Sequence, residues 1–131
     1  MLMHQAQRLT ILRETFAVSQ LGKHLPVPKW ASSGGWWSVT RTDDELSIVC
    51  PESQVPEAVV SNRGWKCLKV EGPLDFSLTG ILASLLIPLA NAGISVFPVS
   101  TFDTDYLLVK TENLASTARI LSIAGQQILD A

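Results

Sequence analysis

The spacing of apolar residues changes along the chain, from strand-like alternation before residue 71 to a helical stripe after residue 77. No residue between Asp75 and Asp103 is charged. From Ser77 to Ala92, apolar side chains recur at the three- and four-residue spacing of one helix face. They are Leu78, Ile81, Leu82, Leu85, Leu86, Leu89 and Ala90. The pattern predicts a helix over 77–92 that is ended by Gly93, because glycine readily adopts the left-handed terminating conformation.

The same uncharged run has a second interpretation, as a membrane span. A spanning helix needs about 20 apolar residues, whereas a helix over 77–92 would be only about 24 Å long. Pro88 interrupts it, and Ile94–Val99 has the β-branched and aromatic composition of a strand. The pattern therefore favours a buried helix followed by a strand, and no membrane association is expected.

Strand patterns account for most of the remaining chain. One or two strands are predicted around Leu9–Leu12 and Thr15–Leu21. Further strands are predicted at Trp36–Thr42, Glu45–Cys50, Trp65–Val70, Ile94–Val99, Thr104–Lys110 and Gln127–Asp130. Ser61–Gly64 predicts a turn. A second helix is predicted from about Thr111–Asn113, where Thr or Asn can cap the first turn, to Gly125.

The order of these elements predicts the fold class. From Trp65 onward it is β-α-β-β-α-β, which builds an antiparallel sheet with two helices on one face. The segment Val39–Glu52 also aligns with Val99–Glu112 at an offset of sixty residues, although two hairpins share the same alternation in any case. We therefore expect an α+β tandem of related units. Residues 1–62 form a degenerate first unit without the long helix, and residues 63–131 form a complete second unit.

Composition excludes several classes of protein. A net charge of −2 and a pI near 5.6 argue against a nucleic-acid-binding surface. The first eight residues lack a basic start followed by an apolar run, so no export signal is visible and a cytoplasmic location is expected. Cys50 and Cys67 have no Cys or His at ligand spacing, which favours two reduced core thiols but leaves a disulfide between them open.

Catalytic and metal-binding patterns are absent from the sequence. His4 and His24 have no nucleophile, carboxylate or metal ligand at useful spacing. There is no GxSxG, HExxH, phosphate-loop or GxGxxG motif. Asp103 and Asp105 are a possible acid–base pair, but a hairpin turn with one ligand contact is the simpler interpretation. We therefore expect no enzyme activity, no cofactor and no metal site, and rank an enzyme acting on an amino acid third among the functional classes.

Two polar loops predict a binding site. Gly72–Ser77 leads into the first helix, whose N-terminus suits a carboxylate because its N–H groups are unpaired. Gly80 would let a ligand approach the backbone, although tight packing of the helix on the sheet would equally explain a glycine there. The expected strand order places Ser100–Asp105 opposite, with hydroxyls and carboxylates for an ammonium group. Such a pair of loops predicts a site for a zwitterion, of which amino acids are the commonest small examples.

The stretch Trp65–Lys110 resembles the ACT domain family, in particular small ACT-like proteins related to aspartate-kinase regulatory domains and cytosolic arginine sensors. The segments that carry the resemblance are GPLDFSLTGILA (Gly72–Ala83), PLANAGIS (Pro88–Ser95) and STFDTDYLLVK (Ser100–Lys110). TRTDDELSIVCPE (Thr40–Glu52) is also typical of this subgroup. The similarity covers most of the chain after about Phe16.

The resemblance implies a ferredoxin-like fold, no catalysis, and amino-acid binding at an interface between ACT units. The implied ligand-binding residues are Thr79, Gly80, Ile81, Ser100, Thr101, Phe102 and Asp105. Most would offer backbone groups, while Asp105 would offer a carboxylate to an amino or guanidinium group. A homodimer is also implied. Many family members are fused to a catalytic domain that is not expected here, so a signal would pass to a regulated enzyme in trans or through oligomerisation.

The sequence as a whole predicts an amino-acid-binding sensor or regulatory module. The alternative from another class is a structural or protein-interaction domain with a vestigial ligand site. Because the first unit lacks the loop and helix of the second, no second ligand site within the chain is expected. The identity of the amino acid and of the partner is left open.

Overall fold

The computed structural model describes residues 6–72 and 80–131 of the chain. Within these ranges the elements are β1 (Arg8–Leu21), β2 (Ser38–Arg41), β3 (Leu46–Pro51), β4 (Ser61–Val70), α1 (Ile81–Asn91), β5 (Phe97–Ser100), β6 (Asp105–Lys110), α2 (Leu114–Ile123) and β7 (Gln127–Asp130). Short 3-10 helices occupy Lys29–Ser32, Glu52–Gln54 and Thr111–Asn113. The predicted site residue Thr79 lies outside the described residues, as does the start of the helix predicted from Ser77.

Packing divides the chain into two compact units. The all-β unit comprises Glu14–Trp65, and the helical unit comprises Met1–Arg13 together with Lys66–Ala131. Both β1 and β4 contribute to each unit, because the divisions fall within these strands. The division into residues 1–62 and 63–131 stays a prediction about the two repeats. The compact units differ from it by assigning the start of β1 to the helical unit.

The helical unit has the predicted β-α-β-β-α-β order, formed by β4, α1, β5, β6, α2 and β7. Its strands follow the spatial order β7-β1-β4-β6-β5. The start of β1 is an addition to the predicted unit: it runs parallel to β7, with Arg8 opposite Gln127, and lies between β7 and β4. The α+β class and the ferredoxin-like arrangement are confirmed, with one extra strand whose position strand alternation alone does not specify.

Both helices of this unit contribute to a single core on one face of its sheet. The helices bury Ile81, Leu85, Leu89 and Leu121 against Leu9, Leu68, Val70, Leu107 and Val109 of the strands. Since successive side chains of a strand point to opposite faces, Leu107 and Val109 mark the helix-bearing face. Tyr106 and Leu108 therefore belong to the opposite, helix-free face.

Glycines flank helix α1 at both ends. Gly80, which was expected in the first turn, instead precedes the helix in the left-handed region with φ 78°. Gly93 takes φ 75° just after the other end, as predicted. The helix has 11 residues, Pro88 among them, and Ser84 N–H donates to the Gly80 carbonyl. Neither this helix nor any other in the described ranges is long and apolar enough to cross a bilayer.

The all-β unit is described in full and has the strand order β2-β3-β1-β4 without an α-helix. The prediction that the first repeat lacks the long helix is therefore confirmed. The turn predicted at Ser61–Gly64 is wrong, because β4 already begins at Ser61. The long strand β1 extends the ladder this far, with Gln20 N–H donating to the Val60 carbonyl, and Gly64 adapts with φ 79°.

The two hairpins of the tandem carry the same turn. In β2–β3, Thr42 N–H donates to the Glu45 carbonyl, and Glu45 N–H donates to Thr42 Oγ1. In β5–β6, Thr101 and Thr104 exchange the same two hydrogen bonds. The same turn thus recurs at an offset of 59 residues, as between Thr42 and Thr101, and the offset of sixty is wrong for the two hairpins; that the units are related repeats stays a prediction. A shift of one residue in the alignment matters, because it assigns every strand position to the opposite face of the sheet.

A buried threonine on α2 provides a test of the core. Thr117 is completely buried, and its Oγ1 has no hydrogen-bond partner within the described part of the chain. A desolvated hydroxyl without a partner is unfavourable, so Thr117→Val, which keeps the shape, should raise the free energy of unfolding by about 1 kcal/mol. Urea denaturation measures the change. Thr117→Ser keeps the hydroxyl and loses the methyl group, and should be less stable than wild type.

Candidate functional site

The loop of the β5–β6 hairpin is held at three points. Thr101 N–H donates to the Thr104 carbonyl at 2.8 Å, and Thr101 Oγ1 accepts from Thr104 N–H at 3.3 Å. Thr104 is buried, and its Oγ1 donates to the Val70 carbonyl at the end of β4 at 2.6 Å. These bonds fix the loop against the neighbouring strand, so side chains of the loop and of β4 are preorganised relative to one another.

A pocket of about 210 Å³ lies where this loop meets the end of β4. Its walls are Lys69, Glu71, Gly72, Thr101, Asp103, Thr104 and Tyr106. Among them are one cationic side chain, two carboxylates and three hydroxyls. A pocket with both signs of charge offers partners for a carboxylate and for an ammonium group of one small molecule.

The pocket contains part of the predicted site. Lys69 and Glu71 alternate with the core residues Leu68 and Val70, and with Tyr106 they belong to the helix-free face. Asp105 has the parity of Leu107 and so belongs to the helix-bearing face. Its Oδ1 accepts a hydrogen bond from Ser100 Oγ at 2.6 Å, across the last pair of the hairpin.

The remaining predicted residues occupy separate positions. Ile81 is buried in the core as the first residue of α1, and Gly80 before it is exposed. Phe102 lies at the tip of the hairpin loop and is 79% exposed. The structure therefore brings Ser100, Thr101, Phe102 and Asp105 together in one hairpin and places Thr101 beside Gly72. The assignment of the whole set to one ligand site stays a prediction.

Three pocket residues lie outside both predicted polar loops, Gly72–Ser77 and Ser100–Asp105: Lys69, Glu71 and Tyr106. Each has a sequence signal that could have identified it. Lys69 and Glu71 are charged residues at alternate positions around the buried Val70, which places both on one face of the strand. Tyr106 follows Asp105 in a strand and therefore projects to the opposite face from it. The missing information was which face of the sheet carries the pocket.

The two cysteines and the possible metal ligands are further candidates for chemistry. Cys50 and Cys67 are both buried and are not joined in a disulfide, in agreement with the expected core thiols. Burial raises the pKa of the Cys50 thiol to about 11, with a smaller lowering by the Arg63 charge, so Cys50 is protonated and unreactive at neutral pH. No group of three His, Cys, Asp or Glu residues in the described ranges is arranged to hold a metal ion.

Comparison with known proteins identifies the two parts of the chain. A model of the ACT domain family matches residues 60–122. A second model, of an N-terminal domain, matches residues 14–58. The boundary between the two matches lies near the start of β4.

Two solved structures share the architecture. A crystal structure of an Agrobacterium tumefaciens protein is 43% identical and superposes with a TM-score of 0.93, covering 98% of this chain and 96% of that chain. The regulatory subunit of aspartate kinase from Thermus thermophilus is 9% identical with a TM-score of 0.59, covering 86% of this chain and 94% of that chain. At such low identity the second similarity shows the fold alone.

Sequence similarity extends to a eukaryotic relative. The protein called cytosolic arginine sensor for mTORC1 subunit 1 in Bos taurus is 30% identical over 113 residues, which make up 75% of this chain and 34% of the bovine protein. The chain thus spans about a third of the length of that relative. The family model over residues 60–122 and the ferredoxin-like arrangement of the helical unit together identify an ACT domain in this part of the chain.

Proposed function

We propose that this protein is a regulatory module without catalytic activity that binds a small amino acid. The observation that carries the proposal is the pocket between the β5–β6 loop and the end of β4, with Lys69 and two carboxylates on its walls. Support comes from the relative that is named an arginine sensor.

The pocket chemistry suggests how an amino acid would be oriented. The Lys69 ammonium would pair with the ligand carboxylate, and Asp103 with Glu71 would accept hydrogen bonds from the ligand ammonium. Thr101 adds a hydroxyl at the rim. Two acids against one base leave the walls with an excess of negative charge, so aspartate and glutamate should bind less well than neutral or basic amino acids.

Asp105 and the start of α1 remain the second location for the ligand. Asp105 would accept the ammonium group there, and the backbone of Gly80 and Ile81 would meet the carboxylate at the helix N-terminus. Ser100 already donates to Asp105, which leaves its second oxygen for a ligand. Variants of Asp103 and Asp105 distinguish the two locations.

We further propose that the ligand signal passes to another protein. The partner that receives the signal would be a second copy of the chain in a homodimer or a regulated enzyme in trans. A cytoplasmic location is proposed because the relative is named a cytosolic arginine sensor. The alternative is a structural or interaction domain with a vestigial site. The exposed Phe102 favours this alternative, because an aromatic side chain at a loop tip suits a protein contact.

The test is a thermal-shift screen of the purified chain against the twenty amino acids at millimolar concentration. A ligand at a hundredfold excess over its Kd stabilises the native state by about 2.7 kcal/mol, which raises Tm by several degrees. We expect shifts with one or a few neutral or basic amino acids. An absence of shifts would favour the interaction domain, and turnover of any amino acid in the same samples would contradict the non-catalytic assignment.

A further inference from the structure

A second pocket, of about 330 Å³, lies within the all-β unit. Its polar walls are Ser19, Gln20, Glu45, Ser47, Ser61 and Asn62, and its apolar walls are two valines. The volume is at the lower end of the range for small-molecule sites, which is about 300–1,000 Å³. The pocket is thus large enough for a ligand of a few heavy atoms.

The position of this pocket repeats that of the pocket in the helical unit. At the offset of 59 residues, Glu45 corresponds to Thr104 and Ser47 to Tyr106. Each pocket also takes residues from the strand that pairs with its hairpin, which is β1 for β3 and β4 for β6. The degenerate repeat has therefore kept a concave site at the same place although it has no α-helix.

The polar side chains of the second pocket that share one face of the sheet are Gln20, Glu45 and Ser47. Ser19 pairs with the core residue Ile48, so its side chain, which is 2% exposed and lies 2.8 Å from Ser61 Oγ, belongs to the opposite face. The backbone of Glu45 is held by its bonds with Thr42 in the hairpin turn. Among the described residues, the Glu45 carboxylate accepts a long hydrogen bond, 3.4 Å, from Gln20 Nε2. The carboxylate is thus positioned and still has capacity for a stronger donor.

The charges of the two pockets differ. Glu45 is the single charged side chain on the walls of the second pocket, whereas the first pocket also contains Lys69. An amino-acid carboxylate would find no cation there and would be repelled by Glu45. A ligand with an ammonium group and a hydroxyl would instead match the Glu45 carboxylate and the Ser47 hydroxyl.

We propose that the all-β unit binds a small organic cation, of the amino-alcohol or amine class, in this second pocket. The ammonium group donates to Glu45, and the hydroxyl of the ligand bonds to Ser47 Oγ, on the same face of the sheet. This site does not depend on the proposed amino-acid site, and it contradicts the expectation that a second ligand site is absent from the chain.

The test uses 2-aminoethanol as the probe and ethylene glycol as its uncharged partner. Titration of the full chain is followed by amide chemical shifts in a ¹H–¹⁵N spectrum. We expect saturable shifts for the amides of Gln20, Ser47 and Ser61 with 2-aminoethanol and none with ethylene glycol. Glu45→Gln should weaken binding about tenfold, because it removes a charge-assisted hydrogen bond. Glu57→Gln removes an exposed carboxylate of the same unit and should leave binding unchanged.

A blocking variant keeps the test decisive if Glu45→Gln alters the hairpin. Ser47→Tyr places in the pocket the side chain that the other repeat carries at Tyr106, and should abolish the shifts. An unchanged affinity in either variant would overturn the proposal. So would a wild-type response confined to amides around Thr101, because the cation would then occupy the pocket of the helical unit. A failure to detect amino-acid binding would contradict the proposed function but not the binding of a cation in the second pocket, so the two proposals are tested separately.

Discussion

Replacing Lys69 with methionine is expected to weaken amino-acid binding at least tenfold while leaving the fold stable. Lys69 is the single cation on the walls of the pocket and the proposed partner of the ligand carboxylate. Losing a charge-assisted hydrogen bond costs about 1.5–3 kcal/mol, and every 1.4 kcal/mol is a factor of ten in Kd. Methionine keeps the aliphatic stem, so the packing on the helix-free face is preserved. Isothermal titration with the strongest ligand from the screen measures the change.

Ligand analogues assign each charge to its partner. Asp103→Asn should weaken binding of the amino acid by a similar factor, since it removes a partner of the ammonium group. The decarboxylated amine should be insensitive to Lys69→Met, and the acid without its amino group should be insensitive to Asp103→Asn. Asp44→Asn is the matched control, because Asp44 holds the position equivalent to Asp103 in the other hairpin. Lys29→Met controls for the loss of a positive charge.

The same experiment decides between the two proposed locations. If Asp105→Asn abolishes binding while Asp103→Asn and Lys69→Met have no effect, the ligand lies on the helix-bearing face, at the start of α1. Asp105 is bonded to Ser100, so the stability of this variant has to be measured as well. A variant that folds normally and loses binding would then support the site residues inferred from the family resemblance.

Much of the helical unit was predictable because its patterns are unambiguous. The stripe at Ile81, Leu85 and Leu89 allows only one buried face, and the structure buries all three. Gly93 ends the helix as expected. The insertion of β1 beside β7 was not predictable, because alternation says that a strand has two faces and nothing about which strands are its neighbours. The turn expected at Ser61–Gly64 failed for the same reason: pairing with β1 outweighs local turn preference.

The sequence predicted the loop residues of the candidate site but not the pocket residues that the strands contribute. The hydroxyls and carboxylates of Ser100–Asp105 identified the hairpin, and Thr101 and Asp103 line the pocket. Lys69 was missed because its role depends on which face of the sheet carries the pocket. The similarity between the two hairpins was also misleading about their alignment. At an offset of sixty Asp43 aligns with Asp103, whereas the turn hydrogen bonds align Asp44 with Asp103. Identical residues thus misplaced the repeat by one position, and only hydrogen bonding corrects it.

Thr104→Val should lower the free energy of unfolding by about 1–3 kcal/mol, because it leaves the buried Val70 carbonyl without the hydroxyl that satisfies it. Thr104 is 5% exposed, so water replaces the lost donor poorly. Thr104→Ser keeps the hydroxyl and should retain most of the stability. Urea denaturation of the wild type, Thr104→Val and Thr104→Ser measures the three free energies of unfolding. Equal dependence of the free energy on urea concentration in all three makes the values comparable.

The contrast with Thr117 makes this prediction specific to the hydrogen bond. Both positions are buried threonines. The same change to valine should stabilise at Thr117 and destabilise at Thr104, because within the described residues the Thr104 hydroxyl has a hydrogen-bond partner and the Thr117 hydroxyl has none. The Thr104 bond also anchors the β5–β6 loop to β4, so Thr104→Val should weaken amino-acid binding and Thr104→Ser should not. If both valine variants change stability in the same direction, side-chain shape rather than hydrogen bonding controls these sites, and the loop is held by its backbone alone.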